Sequence, residues 1–448
     1  MQTLAPRKRF MLAAILLVAS FIGLMSQTMM VTALPVITRQ MHQPLAIVQW
    51  LTTGYTLVVG IITPLSANLF EKFRNRPFFL TIIGSFILAT FVGGIANNFW
   101  LVLFARLVQA AAGGLLISFQ MITLVMIYPP EKRGTIMGIS SLVVSFGPAI
   151  GPTLAGFLLS LYGWRSLFWS VMPFMIIIWL IGLVVMPNFT RPKNIKFDFV
   201  SVFEMLIGLT LIMGSLSFIS TSPLSSLIAL LIGIVLTAIF YRRQLHLTSP
   251  LLNVKLFSIR SFSLTIIVGT LLYMTLLGTE QLFSVFSQNT LHTTSMMAGL
   301  ILFPGAIVNA LGGAVAGPLY DKYGVKWIVL TGIMISVVAT IPTLFISNHI
   351  PVWLLSLLYT IRFLGLGISF APLISESYRD MATKDISQAT AINNCIRQLA
   401  GAFSITILVI ISEIPATAVN GMRLAMWVTF LFGIIALAYF VSYLNRRK

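Results

Sequence analysis

The chain has 448 residues, of which 58% are apolar and 8% are charged, with a mean hydropathy of +0.99 and a formal net charge of +18. Soluble globular domains carry about 25% charged residues, so the composition excludes that class and indicates a polytopic helical membrane protein. The one cysteine, Cys395, excludes an intrachain disulfide and a thiolate metal cluster, and neither HExxH nor GxxxxGK[ST] occurs. We therefore expect neither an enzyme nor a bound cofactor.

Apolar windows of about 20 residues, long enough to cross a bilayer as a helix, follow one another along the chain. The first window is too long for a secretory signal, and we interpret it as a span. Fourteen spans are predicted, at residues 10–34, 45–67, 78–97, 99–123, 134–160, 167–187, 199–219, 223–243, 262–287, 296–318, 326–347, 351–374, 388–411 and 422–443.

The basic residues outside these spans are distributed unequally between the two sides of the membrane. The termini and the even-numbered connections carry 22 Lys and Arg residues, whereas the opposite connections carry only Arg39, Arg165 and Arg423. The positive-inside rule therefore predicts that both termini are cytoplasmic. The net charge of +18 is thus explained by basic residues that orient the chain in the membrane. We expect the chain to contact a lipid bilayer and no nucleic acid.

A short charged segment, residues 317–326, lies between two apolar spans and matches GxLxDxxGxK at every fixed position. A weaker copy at residues 67–76 keeps an acid but lacks both glycines. The segment resembles the signature loop of the major facilitator superfamily, a large family of membrane transporters. We expect it to act as a conformational latch between transport states. The residues assigned to this latch are Gly317, Asp321, Gly324, Lys326 and Glu71.

Two offsets reveal an internal repeat. The two loop copies lie 250 residues apart, and the intramembrane arginines Arg106 and Arg362 lie 256 residues apart. The resemblance implies the major facilitator fold, all-α, with two six-helix bundles and two inserted transmembrane helices. The expected domains are an N-terminal bundle at 1–187, an inserted hairpin with a cytoplasmic linker at 188–260, and a C-terminal bundle at 261–448.

Three further motifs resemble those of the fourteen-span drug:proton antiporters, the bacterial multidrug efflux branch of this family. The fifth span carries GPxxGP, which we expect to pack helices closely through Gly147, Pro148, Gly151 and Pro152. Residues 163–173 match GWRxxFxxxxP, and residues 393–401 match NNxxRQxxG. The branch also carries an acid seven positions before an Ala-Leu-Pro triplet, but here that position is Ser26.

Charged residues inside the spans are candidates for proton coupling, because an ion in hydrocarbon is costly unless it faces a partner or water. Arg106 lies in an RxxQ motif with Gln109, and its alternative role is structural, bonding carbonyl groups of a neighbouring helix. Glu280 lies at a similar depth, and we propose it as the principal proton carrier; its alternative role is an outer-rim carboxylate. The other intramembrane charges are Arg362, Arg397 and Glu204, the last interpreted as interfacial.

Polar residues on apolar spans are candidates to bind substrate, namely Ser26, Gln27, Gln109, Asn309 and Asn394. The sequence thus predicts a monomeric exporter in a bacterial cytoplasmic membrane that moves hydrophobic or amphipathic compounds outward, driven by the proton gradient. Two alternatives remain open. One is an exporter or flippase of a single lipid-like or metabolite substrate, and the other is a non-transporting receptor or scaffold.

Overall fold

A computed structural model describes residues 6–188, 192, 198–218, 222–247, 250–381 and 385–446. Within these ranges the chain is helical and contains no strand. The α-helices are α1 Pro6–Met41, α2 Leu45–Val48, α3 Trp50–Lys72, α4 Asn75–Ile95, α5 Phe99–Ile127, α6 Pro130–Tyr162, α7 Ser166–Val185, α8 Phe199–Phe218, α9 Pro223–His246, α10 Arg260–Asn289, α11 Ser295–Thr340, α12 Val352–Ser377, α13 Ile386–Glu413 and α14 Ala418–Arg446.

Thirteen helical segments of the described chain are long and apolar enough to cross a membrane, judged by length and composition. A fourteenth, α6, contains the shorter apolar stretch Phe146–Tyr162. The short helix α2 is a single turn, whereas α11 supplies two spans because its backbone breaks at Gly324. The predicted all-α membrane fold is confirmed.

Each half of the chain has its own apolar core. Helices α1 and α3 to α7 share a cluster that includes Phe86 and Phe119, and helices α10 to α14 share a second that includes Phe283 and Tyr359. A third cluster joins α3, α8, α10 and α13, so the α8–α9 hairpin packs at the seam between the halves. We call the end at which α1 begins and α14 ends the basic end, and the opposite end the far end.

The three basic residues predicted at the far end donate hydrogen bonds to main-chain carbonyl groups. Arg39 bonds Pro35 at 3.2 Å, Arg165 bonds Ala96 at 3.0 Å, and Arg423 bonds Ile346 at 2.7 Å. Carbonyl groups at helix ends lack intrahelical donors, and cations interact favourably with them. Ala96 and Ile346 directly follow the last residues of helices, so Arg165 and Arg423 cap helix ends, whereas Arg39 bonds a carbonyl within its own helix.

The GWR motif forms the turn from α6 to α7. Gly163 ends α6 with φ of 73°, a region that favours glycine, and Trp164 inserts into the core of the first half. Arg165 lies over the Trp164 ring while it caps α4. The motif thus fixes the far ends of three helices.

The inner helices α1 and α10 meet near the far end. Oγ of Ser284 donates to the carbonyl of Val31 at 3.5 Å, and Nε2 of Gln288 donates to the carbonyl of Thr32 at 3.1 Å. Both helices begin at the basic end, so these bonds lie in their far portions. The two halves are closed against each other there.

Candidate functional site

Arg106 lies in the core of the first half, seven residues into α5, and only 1% of its surface is exposed. Its guanidinium donates to Gln109 Oε1 at 2.9 Å and to the carbonyls of Leu51 and Gln27, each at 3.4 Å. The group also lies 4.3 Å from the centre of the Tyr55 ring, a cation–π distance. Arg106 therefore ties α1, α3 and α5 together, as its structural alternative predicts.

Two of the candidate substrate-binding residues belong to this network. Ser26 accepts a hydrogen bond of 3.3 Å from Arg106, and Gln109 donates to Thr90 at 2.7 Å while it accepts from Arg106. Both side chains are buried. Because their hydrogen bonds are used within the first half, they position Arg106.

Glu280 lies in the second half, on α10, with 7% of its surface exposed. Within the described chain its carboxylate has no hydrogen-bond or ion-pair partner, and Tyr273 and Tyr359 are its electrostatic neighbours. The similar depth of Glu280 and Arg106 does not bring them together, because the hydrogen-bond partners of Arg106 all belong to α1, α3 and α5. An anion buried without a cation is costly, and a proton removes that cost.

Glu280 occupies the position in the second half that Ser26 occupies in the first. The two residues are 254 positions apart, between the offsets of 250 and 256 that relate the loops and the arginines. The acid that the resemblance places at Ser26 is therefore present in the second half of this chain.

The NNxxRQxxG motif clamps α13 to α10 at Tyr273. The Arg397 guanidinium lies 4.6 Å from the Tyr273 ring centre and 5.1 Å from that of Phe370, and the Tyr273 hydroxyl donates to Gln398 at 3.1 Å. A Cβ added at Gly401 would lie 2.4 Å from Leu277 and 3.1 Å from Tyr273. The motif's glycine therefore permits the close approach of α13 to α10. The Tyr273 ring that its arginine contacts lies seven residues before Glu280 on α10.

Arg362 is not a copy of Arg106. It is equally buried, but its guanidinium makes a weak contact from Nη1 to the Met426 sulfur at 3.6 Å, and its Nε has no partner in the described chain. It lies electrostatically close to Tyr359, which also neighbours Glu280. Tyr359 thus interacts electrostatically with both an arginine and the candidate proton carrier.

The GPxxGP motif packs α6 against α1. Pro152 has no N–H, which leaves the carbonyl of Pro148 without its usual donor, and Thr28 donates to that carbonyl at 3.3 Å. A Cβ at Gly151 would lie 2.1 Å from Oγ1 of Thr28, and one at Gly147 would lie 3.1 Å from the Phe21 carbonyl. The glycines give the close approach, and the threonine satisfies the carbonyl that the proline frees.

The other side of α6 packs against α11 in the second half. Thr153 donates to the Gly299 carbonyl at 3.1 Å. A Cβ at Gly299 would lie 2.6 Å from the Pro152 carbonyl, and one at Gly156 would lie 2.4 Å from the Ser295 carbonyl. Helix α6 is thus in close backbone contact with both halves, which makes it a candidate for transmitting motion between them.

The signature loop is more helical than its sequence indicates. Gly324 alone leaves the helix, with φ of 73° and ψ of 172°, whereas Gly317 lies in regular helix. The Lys326 ammonium lies 4.8 Å from the Trp327 ring centre. The Asp321 side chain lies outside the described residues, and Glu71 is exposed at the end of α3.

The sequence does not single out Glu376, a buried acid near the end of α12 and beside this loop. Its side chain is fully buried and accepts hydrogen bonds from Tyr320 at 2.8 Å, from Tyr443 and from Arg379 at 3.2 Å. The bond to Glu376 raises the pKa of Arg379. Because Tyr320 belongs to the signature loop, Glu376 links that loop to α12 and α14.

The remaining candidates are dispersed. Asn309 donates to the Phe363 carbonyl at 3.1 Å and joins α11 to α12, and Asn394 is half-buried on α13. Glu204, expected at the membrane interface, has a buried Oε2 with no partner among the described residues and lies near Arg243. The residue as a whole is half-buried on α8.

Comparisons with known proteins agree on one family. A sequence model described as Major Facilitator Superfamily matches residues 16–405. The uncharacterized MFS-type transporter YcnB of Bacillus subtilis (strain 168) is 33% identical over 99% of this chain and 96% of its own. Lincomycin resistance protein LmrB of the same strain is 34% identical over 88% of this chain and 83% of its own. The Multidrug resistance protein B homolog of Mycobacterium tuberculosis is 26% identical over 83% and 72%.

Solved structures share the fold. A POT family transporter in complex with 5-aminolevulinic acid aligns with a TM-score of 0.74 at 14% identity and covers 96% of both chains. A bacterial homolog of the human lysosomal transporter Spinster aligns with a TM-score of 0.71 at 16% identity, covering 99% of this chain and 98% of that one. At these identities the likeness concerns the arrangement of helices.

Proposed function

This chain belongs to the major facilitator superfamily, and we propose that it exports hydrophobic or amphipathic drug-like compounds across the bacterial cell membrane in exchange for protons. It is a multi-pass membrane transporter with small-molecule substrates, and its family consists of carriers that are generally not enzymes. Drug export is supported by relatives that are named for lincomycin and multidrug resistance.

Proton coupling rests on one observation, the unpartnered carboxylate of Glu280 on an inner helix. A fixed arginine such as Arg106 stays charged, whereas a buried acid without a counter-ion can exchange a proton whenever water reaches it. Loss of the proton would leave an anion that attracts a cationic substrate, and substrate binding would in turn displace the proton. Competition at one carboxyl group is sufficient to couple the two fluxes in opposite directions.

Alternating access would use the contacts between the halves. The Ser284 and Gln288 bonds to α1 would open as the far end opens, while α6 moves against α11 at Gly156 and Gly299. The signature loop and Glu376 would stabilise one state at the basic end. We place that end in the cytoplasm from the distribution of basic residues, with a monomer as the working unit and no cofactor beyond the proton gradient.

The experiment is drug accumulation in a hypersensitive bacterial host that expresses the chain. Ethidium and lincomycin should reach lower internal concentrations in expressing cells than in cells with the empty vector, and a protonophore should abolish the difference. Unchanged accumulation of every cationic, neutral and zwitterionic compound in a broad panel would reject drug export.

A second candidate is export of one dedicated lipid-like or metabolite substrate. It is favoured by Ser26, because the first half lacks the acid that the multidrug branch carries there. The same panel distinguishes the two, since a dedicated exporter would move none of the drugs.

A further inference from the structure

Gln281, next to Glu280, is a buried amide that the protein leaves unsatisfied. Only 1% of its surface is exposed, and within the described chain neither Nε2 nor Oε1 has a hydrogen-bond partner. Among the described residues, it is the one with two polar side-chain atoms that are both shielded from solvent and both without a partner. Removing an amide from water without giving it a hydrogen-bond partner destabilises the fold, so the presence of Gln281 in a membrane helix requires an explanation.

Gln281 lies on the face of α10 that meets the other half of the chain. Ser284 and Gln288 lie three and seven residues further along the helix, so the three side chains share one face. The other two reach carbonyl groups of α1 in the opposite half. Gln281 is therefore on the face that meets α1, one turn nearer the basic end than the Ser284 bond.

A matching amide occurs on α1. Gln27 is 254 residues before Gln281, the same offset that relates Ser26 to Glu280. It lies four residues before Val31, whose carbonyl accepts from Ser284, and its side chain is half-buried. Since α1 and α10 run in the same direction, Gln27 and Gln281 lie at one level on either side of the boundary between the halves.

We propose that Gln27 and Gln281 form a paired amide subsite that binds hydrogen-bonding groups of the substrate, next to the carboxyl group of Glu280. The substrate class is an amphipathic molecule that carries a protonated amine together with amide or hydroxyl groups. The amine binds Glu280, and the amide or hydroxyl groups satisfy the two glutamines. This inference rests on the proposed function and adds the chemical class of its substrates.

The subsite predicts selectivity that a purely apolar pocket lacks. A site built to hydrogen-bond a polar group discriminates strongly against analogues without it, because the site's own polar atoms then stay unpaired. A lipophilic cation without donors or acceptors would use Glu280 alone. Removing the Gln281 amide should therefore weaken one class of substrate and spare the other.

The test compares binding of lincomycin, which carries an amine, an amide and hydroxyl groups, with binding of tetraphenylphosphonium, which carries only charge and apolar rings. Purified wild type, Gln281→Leu and Gln27→Leu are compared by ligand-induced thermal stabilisation and by transport in proteoliposomes. The matched control is Gln120→Leu, since Gln120 is equally buried but its Nε2 donates to Ser140 at 2.7 Å within the first half.

We expect Gln281→Leu to weaken lincomycin binding at least tenfold and to leave tetraphenylphosphonium binding within twofold, with Gln120→Leu altering neither. Gln27→Leu gives the same selectivity independently, should Gln281→Leu fold poorly. Equal loss of both ligands, or loss of neither, would overturn the amide subsite while export stands. Absence of binding and transport of both compounds by the wild type would overturn the subsite, and the broader panel of compounds then decides separately whether drug export stands.

Discussion

Nη1 of Arg106 donates a hydrogen bond of 3.3 Å to the hydroxyl of Ser26. The fourteen-span antiporters that this chain resembles have an acid at the Ser26 position, so there the arginine would face a carboxylate. Here the partners of Arg106 are a hydroxyl, an amide oxygen, carbonyl groups and a tyrosine ring. Arg106 therefore lies in one half, and Glu280, the buried acid without a partner, lies in the other.

Replacing Ser26 with aspartate should create an ion pair with Arg106 without creating a second proton carrier. A carboxylate hydrogen-bonded to a guanidinium is held as an anion, so Ser26→Asp alone should fold and keep its proton coupling. In the Glu280→Gln background, Ser26→Asp should fail to restore substrate-driven proton flux. The measurement is dye-reported flux in proteoliposomes, and restored flux in the double variant would show that the first half can carry the proton.

Gly151→Ala should destabilise the protein, because the added Cβ would lie 2.1 Å from Oγ1 of Thr28 and 2.8 Å from the Met25 carbonyl. Overpacking of this kind costs about 1–3 kcal/mol. The matched control is Gly214→Ala on α8, where a Cβ meets nothing within 4 Å. Thermal unfolding in detergent should show a lower Tm for Gly151→Ala only, and equal Tm values for the two variants would contradict the packing.

The two glycines of the signature loop should differ in their tolerance of alanine. Gly324→Ala forces a side chain into a backbone region that is nearly restricted to glycine, at a cost of about 1–3 kcal/mol, although no atom obstructs the Cβ. Gly317→Ala places its Cβ in open space on a regular helix and should be neutral or slightly stabilising. Transport rate and Tm are measured for both, and a defect in Gly317→Ala alone would overturn the account of the loop.

The Asp198–Arg243 ion pair should make the stability of the α8–α9 hairpin depend on pH. Partial burial acts to raise the pKa of Asp198, but hydrogen bonds from Arg243 at 2.9 and 3.0 Å and from Ser201 outweigh it and lower that pKa. The stabilisation is therefore present above the ordinary pKa of about 3.9 and is lost as pH falls through the folded value below it.

The measurement for this ion pair is Tm against pH for wild type and Arg243→Gln. The wild type should have the higher Tm from pH 7 down to about 4, and the difference should shrink below that. High salt should reduce it, since both side chains are partly exposed. A difference that stays constant to pH 2 would show that Arg243 acts through packing.

Much of the fold follows from the sequence, because hydrocarbon imposes helices about 20 residues long and the charge pattern orders their ends. The glycine and proline motifs also predict where helices approach closely, and Gly151 and Gly401 do so. What the sequence does not provide is which polar groups meet. The depth of Arg106 and Glu280 indicated proximity, but depth along a span does not determine which helix face or which half a side chain occupies.

Glu376 shows a second limit of sequence reasoning. An acid at a span end is usually solvated, and only the folded arrangement brings Tyr320 and Tyr443 to it from two other helices. The one available signal was Tyr320 within the signature loop, whose hydroxyl needs a partner when buried. Gln281 is similar, because its lack of a partner becomes visible only once every neighbour has been placed.

The most direct test of the account is substrate-triggered proton movement in proteoliposomes for wild type, Glu280→Gln and the matched control Glu204→Gln. Vesicles hold a pH-sensitive dye under an imposed proton gradient, and lincomycin or ethidium is added outside. We predict substrate-triggered flux in the wild type and in Glu204→Gln, and none in Glu280→Gln. Undiminished flux in Glu280→Gln would contradict the assignment of Glu280 as the proton carrier.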